Sequence, residues 1–201
     1  MNNSANIKKY RTLAPLYDLF FGRIFKTSRE KAFKLLQIEP GSSVLLVGVG
    51  TGEDLAFIPE GCKVVGIDLS DEMLKAAKRK AAKNDVTLLQ MNAEKLDLAS
   101  NTYDFVILNL ILSVAENPEQ VISETVRVVK ETGNILVFDK FVKQGEKITF
   151  FKEILNKVTS AIGTDITRCF EAMIVEMPLK IKREQASLFK GNYRMIILCK
   201  K

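Results

Sequence analysis

The chain has 201 residues, 47% apolar and 27% charged, the balance of an ordinary globular protein long enough to bury one sizeable core. Histidine is absent, which removes the commonest general base and metal ligand, and three cysteines far apart in the chain (Cys62, Cys169, Cys199) offer neither a C-x-x-C spacing nor a disulfide framework, so buried free thiols and no metal are expected. The net charge of +6 is unevenly laid out: residues 1–34 carry eight basic side chains against two acidic, residues 35–139 nine against sixteen, and residues 140–201 thirteen against six.

An acidic middle between basic ends points to a central part that handles a neutral or cationic ligand and flanks that meet something anionic. A solvated, lysine-rich surface would give the same count. No run of about 18 uncharged apolar residues is present to span a bilayer, and the opening stretch MNNSANIKKYRTLAP has no signal-peptide character. A cytoplasmic protein is expected.

The opening residues up to about 40, with LAPLYDLFFGRIFKTSREKAFKLL at 13–36, read as a helical segment that mixes aromatic and aliphatic side chains with Arg23, Lys26, Arg29, Lys31 and Lys34. From Ser43 the chain alternates. SVLLVG (43–48), KVVGID (63–68), VTLLQ (86–90), YDFVILNL (103–110) and GNILVFD (133–139) are short runs of Val, Ile and Leu, as in strands buried on both faces of a parallel sheet. Helices are expected between them: DEMLKAAKRKAAK (71–83) behind Ser70 as N-cap, and PEQVISETVRVVKETG opened by Pro118 and closed by Gly133 as C-cap. After Asp139 come two further helices, KITFFKEILNKVTSAIG (147–163) and DITRCFEAMI (165–174). The strands KIKREQASL (180–188) and NYRMIILCKK (192–201), joined by FKG, then form a closing hairpin. Alternating strands and helices with right-handed crossovers give a doubly wound α/β sandwich, with its ligand at the carboxyl ends of the strands.

The stretch LLVGVGTGED at 45–54 places Gly48, Gly50 and Gly52 at the turn out of the first strand, where positive φ and main-chain amides at a helix N-terminus suit a nucleotide-like ligand. Asp68, at the end of the second strand, stands where a carboxylate accepts both hydroxyls of a ribose. The spacing is G-x-G-x-G with Glu53 sixth, and so departs from the G-x-G-x-x-G of dinucleotide sites.

On these motifs the stretch from about Tyr10 to Asp139 resembles the class I S-adenosylmethionine-dependent methyltransferases. Within them, APLYDLFFGRIF, VLLVGVGTGEDLAFIP, VVGIDLSDEMLKAAKRKA and YDFVILNLILSVAENPEQVISETVRVVK are most similar to the bacterial phosphatidylethanolamine N-methyltransferases and, less closely, to the quinone-biosynthesis C-methyltransferases. The resemblance implies an α/β, Rossmann-like fold: a doubly wound, seven-stranded, mostly parallel sheet with a C-terminal antiparallel hairpin. It would be one domain over 1–201, with an N-terminal helical lid at 1–40, a cofactor-binding core at 41–139 and substrate-side helices and hairpin at 140–201.

It implies S-adenosyl-L-methionine as cofactor. Gly48, Gly50 and Gly52 would line its methionine part, Asp68 would hold the ribose and Leu69 flank the adenine. Asn92 with Ala93 would meet the adenine edge, and Asn109 with Leu110 would close around the sulfonium. Two positions depart from the family pattern: Leu46 stands where an acid is usual, leaving the cofactor ammonium to backbone carbonyls near Gly48 and Asn109, and Asn92 stands where Asp is usual, keeping an acceptor oxygen.

Methyl transfer from a sulfonium is an in-line displacement that asks chiefly for alignment and exclusion of water, so the absence of histidine is no obstacle. If the acceptor is an amine, Tyr10, Tyr17 and Asp18 are the candidates to assist its deprotonation, and Tyr17 can also place its ring against a cation; packing with Leu16, Leu19 and Phe20 is the structural alternative for Tyr17. The basic, aromatic-rich lid suits a lipid acceptor and peripheral contact with an anionic membrane, about 1 kcal/mol for each basic residue near such a surface. The expected function is N-methylation of a phospholipid head group such as phosphatidylethanolamine. The alternatives are C- or O-methylation of a quinone-like or small metabolite, or cofactor binding without catalysis. Nucleic acid is not expected, because NLIL at 109–112 takes the place of an Asn-Pro-Pro-Tyr-like tetrapeptide.

Overall fold

The computed structural model describes residues 23–81, 85–142, 145, 156 and 164–201. The chain runs α1 (Arg23–Leu36), β1 (Ser43–Val47), a 3-10 turn (Glu53–Phe57), β2 (Lys63–Asp68), α2 (Asp71–Lys78), β3 (Asp85–Gln90), β4 (Tyr103–Asn109) and α3 (Pro118–Val128). It continues with β5 (Val129–Lys140), α4 (Phe170–Ile174), β6 (Leu179–Ala186), α5 (Leu188–Gly191) and β7 (Tyr193–Lys200). The seven strands form one sheet in the order β3-β2-β1-β4-β5-β7-β6. The first five are parallel, and β7 runs antiparallel to both β5 and β6.

Because successive strand residues face opposite ways, β1 feeds two cores. Leu45 and Val47 join Val106, Leu108 and Val137 on the face covered by α3 and α4, while Val44 and Leu46 join Ile107, Leu136 and Phe138 on the face covered by α1. Each such fully buried side chain contributes about 1.5–3 kcal/mol. α1 presents Phe25, Ala32, Phe33 and Leu36 to this second core at helical spacing. Phe25 packs edge-on to Phe138 with ring centroids 5.9 Å apart.

Several element boundaries differ from the sequence reading, each for a local reason. α2 stops at Lys78 because its end tightens to three-residue spacing, Arg79 N–H donating to Ala76 O and Lys80 N–H to Ala77 O. α3 stops at Val128, since Val129 already pairs with Tyr103 in the sheet. Gly133 is therefore no C-cap: it lies inside β5, where a Cβ would come within 2.6 Å of Val129 and 2.9 Å of the Asp104 carbonyl. Of 165–174 only the last five residues are helical; before them Asp165 accepts the Thr167 N–H and Val142 bridges to Cys169. The helix expected at 147–163 lies outside the described residues apart from Asn156, and FKG belongs to the short α5.

Among the described residues the C-terminal cations do not gather on one face. Pairing of β6 and β7 with β5 carries Lys180, Lys182 and Lys200 to the end of the sheet where β5 pairing with β7 begins, opposite the carboxyl ends of the parallel strands, whereas Lys140 and Arg194 stand at those carboxyl ends. Arg194 is held between Glu171 and Glu184. Among the described residues no helix is long and apolar enough to cross a membrane, and no cluster of His, Cys, Asp or Glu is arranged to hold a metal. Cys62 is buried, Cys169 and Cys199 are half-buried, and all three are free thiols.

Candidate functional site

The carboxyl ends of β1, β2 and β4 open into a cleft of about 1020 Å³, solvent at its mouth included. Its floor is the glycine loop. Val49 N–H donates to Ile67 O at 2.8 Å, and Gly50 N–H to the Asp68 carboxylate at 2.9 Å, so the loop is tied to the end of β2. Gly48, Gly50 and Gly52 all have positive φ, at 70°, 55° and 82°. Their surroundings differ. A Cβ on Gly48 would strike Ile111, and one on Gly52 would come 2.9 Å from the Ala77 backbone in α2, whereas a Cβ on Gly50 would meet only the Gly48 carbonyl, 4.0 Å away. Gly50 thus faces open space while Gly52 lets α2 approach the loop. The element that follows is a single 3-10 turn rather than the helix expected there.

Gly50→Ala should cost about 1–2 kcal/mol, the left-handed penalty alone. Gly52→Ala should cost about 1–3 kcal/mol more, because α2 must move. Denaturant midpoints of the two variants measure the difference, and equal midpoints would contradict these separate roles.

Asp68 accepts from Gly50 N–H through one oxygen and from Ser70 N–H through the other, each at 2.9 Å. Burial raises its carboxyl pKa above the ordinary range, and the two N–H donors oppose that rise. Ser70 caps α2 by accepting from Met73 N–H at 3.3 Å, which holds the helix start against the cleft. Gln90 Nε2 donates to Leu69 O. On the far wall Asn92 Oδ1 accepts Glu94 N–H at 2.9 Å, so its acceptor already serves a local turn. The Glu94 carboxylate reaches across to accept Glu116 N–H at 3.0 Å and Asn117 N–H at 3.1 Å, joining that wall to the loop after β4.

At the end of β4, Asn109 is 5% exposed. Its Nδ2 donates to Asp54 at 3.0 Å, and Asp54, 4% exposed, also takes Arg29 Nη1 at 2.7 Å. Asn109 Oδ1 is buried without a hydrogen-bond partner among the described residues. Leu110 follows with φ 59°, a left-handed conformation, and its N–H donates to Phe138 O at 2.8 Å.

Of the residues singled out from sequence, Gly48, Gly50, Asp68 and Leu69 line the cleft on one side, and Asn92, Ala93, Asn109 and Leu110 on the other. Gly52 does not; it packs on α2. Leu46, the position where an acid is usual, is 1% exposed within the core under α1. Tyr10, Tyr17 and Asp18 lie outside the described residues. Sequence reasoning missed Arg29, which lines the cleft although it sits in α1. The signal was there: Arg29 falls four residues after Phe25 and four before Phe33, on the apolar stripe of that helix. Lys140, at the end of β5, does not line the cleft; its Nζ donates to Ser113 Oγ at 3.2 Å and lies 5.8 Å over the Tyr193 ring. Burial lowers the Lys140 pKa.

Residues 45–137 match the family model described as a methyltransferase domain. The chain is 29% identical to a phosphatidylethanolamine N-methyltransferase of Cereibacter sphaeroides over 96% of its own length and 95% of that protein. It is 31% identical to a demethylmenaquinone methyltransferase of Bacillus cereus over 57% of its length, spanning 51% of that relative. In fold it is similar to a SAM-dependent methyltransferase of Thermotoga maritima, with a TM-score of 0.75, 20% identity, and 96% and 99% of the two chains covered.

Proposed function

We propose that the chain is a class I S-adenosylmethionine-dependent methyltransferase, that the cleft takes S-adenosylmethionine and that the enzyme passes the methyl group to the amine of a phospholipid head group. The residues present fit that cofactor. Gly50 leaves its side-chain space empty, the Asp68 carboxylate stands ready for a ribose diol, and Asn109 Oδ1 is a buried acceptor awaiting a donor. Met73, Met91 and Ile67 provide apolar surface for a base.

Bound there, the cofactor supplies an activated methyl group on a sulfonium. The protein's share is alignment: Asp68 would hold the ribose, and the glycine loop with Asn109 and Leu110 would border the methionine part and its sulfonium. Ile111, Val114 and Ala115 add an apolar wall beside Leu110 that keeps water from the line of attack.

The observation that carries the phospholipid reading is the similarity to the phosphatidylethanolamine N-methyltransferase along nearly the whole of both chains. A quinone ring carbon is the second reading, favoured by the demethylmenaquinone methyltransferase match, which covers only about half of that relative. Incubation with methyl-labelled cofactor and vesicles of phosphatidylethanolamine, with demethylmenaquinone in a parallel arm, separates them. Label in the lipid supports the first; label in the quinone alone replaces it with the second.

Asp68→Asn should weaken S-adenosylhomocysteine binding by about 1.5–3 kcal/mol, the scale of hydrogen bonds to a charged group. The amide keeps one acceptor oxygen for the loop. Calorimetric titration measures the change, and unaltered affinity would remove Asp68 from the ribose.

A further inference from the structure

The wall of the cleft includes Asn109, whose buried amide oxygen has its direction fixed from behind. A carboxylate only accepts, so Asp54 must face the NH₂ of the Asn109 amide, and the oxygen is forced the other way. Asp54 is itself held by Arg29 Nη1. The three side chains come from α1, the 3-10 turn and the end of β4, each with less than a tenth of its surface exposed, and Asn109 and Arg29 both line the cleft. An acceptor buried in this way costs free energy until a donor reaches it.

Leu46 cannot supply the negative group usual at its position, since it is packed among Val44, Ile107 and Leu136. Resting on the cofactor assignment above, we propose that Asn109 Oδ1 is the acceptor for the ammonium at the amino-acid end of the cofactor, with Asp54 and Arg29 as the positioning pair that orients the amide, in place of a carboxylate at Leu46. The ligand chemistry is that of an α-amino acid zwitterion. The ammonium meets an amide oxygen whose dipole is aligned by the Asp54 charge, which Arg29 holds from behind.

The test uses three ligands: S-adenosylhomocysteine, its deamino analogue, which keeps the carboxylate and lacks the ammonium, and methylthioadenosine, which lacks the whole amino-acid end. The full chain should bind S-adenosylhomocysteine about 10- to 100-fold more tightly than the deamino analogue. In Asn109→Leu that preference should vanish; the change also withdraws the Nδ2 donor from Asp54, and methylthioadenosine, which cannot make the ammonium contact, reports what that loss does to the rest of the cleft. If Asn109→Leu does not fold, Asp54→Asn serves instead, since it frees the Asn109 amide to turn and should reduce the preference at least several-fold.

Failure of the parent chain to bind S-adenosylhomocysteine at all would overturn the cofactor assignment itself. Equal binding of S-adenosylhomocysteine and the deamino analogue by the parent, or a preference retained in the variant, would overturn the role of Asn109 and leave the cofactor in place. Equal loss of all three ligands in the variant would show a merely structural asparagine.

Discussion

Arg29→Met is expected to lower the unfolding free energy by about 3–5 kcal/mol, the cost of leaving one partner of a buried ion pair uncompensated. Both members are shielded, with side-chain exposures of 9% for Arg29 and 6% for Asp54, so water can do little to relieve the stranded carboxylate. Its remaining partner would be the Asn109 amide. The double variant Arg29→Met, Asp54→Leu should recover only part of the loss, because replacing both charges by apolar side chains is often neutral but here also strands the Asn109 Nδ2 donor. Urea midpoints of the two proteins check the pair. A single variant as stable as the parent would mean that Asp54 is neutralised by other means.

Leu46→Asp should be more damaging still. The side chain sits on β1 between Gly66 of β2 and Ile107 of β4 in register, with apolar neighbours beneath α1. A carboxylate there would lose water without gaining a cation, at a cost of several kcal/mol and more than an apolar truncation at the same place. The expected result is a chain without a cooperative unfolding transition at room temperature. Circular dichroism during thermal and urea titrations reads it directly. A folded Leu46→Asp protein with tightened S-adenosylhomocysteine binding would instead place that side chain at the cofactor ammonium.

Much of this architecture was legible because its signals are local. β1, β2 and β4 are continuous Val, Ile and Leu runs, and Ser70 before α2 and Pro118 at the start of α3 mark where those helices open. The end of α3 was not legible. VRVVKE satisfies either a helix or a strand, and the choice is made by Tyr103, which pairs with Val129 from far up the chain. The cleft followed from topology, so residues at strand ends line it; Gly52 does not, because it packs on Ala77 of a helix whose approach no spacing reveals. The Arg29–Asp54–Asn109 connection joins residues 25 and 55 positions apart, and only the fold brings them together. Arg29 on an apolar stripe was the one trace of it visible beforehand.

The left-handed turn at Leu110 has a consequence for anyone who sets out to make this protein hardier. A leucine in that conformation carries about 1–2 kcal/mol of backbone strain, and the chain retains it where β4 delivers its last residues to the rim of the cleft. A glycine at 110 would relieve the strain, and a selection based on heat resistance alone would favour it. The same change would remove the side chain that now stands beside Ile111 at the mouth and let the segment from 109 to 112 sample other shapes. Evolution for ruggedness and evolution for turnover would therefore pull position 110 in opposite directions, so a library screened for both should keep a side chain there while accepting stabilising changes elsewhere on the sheet.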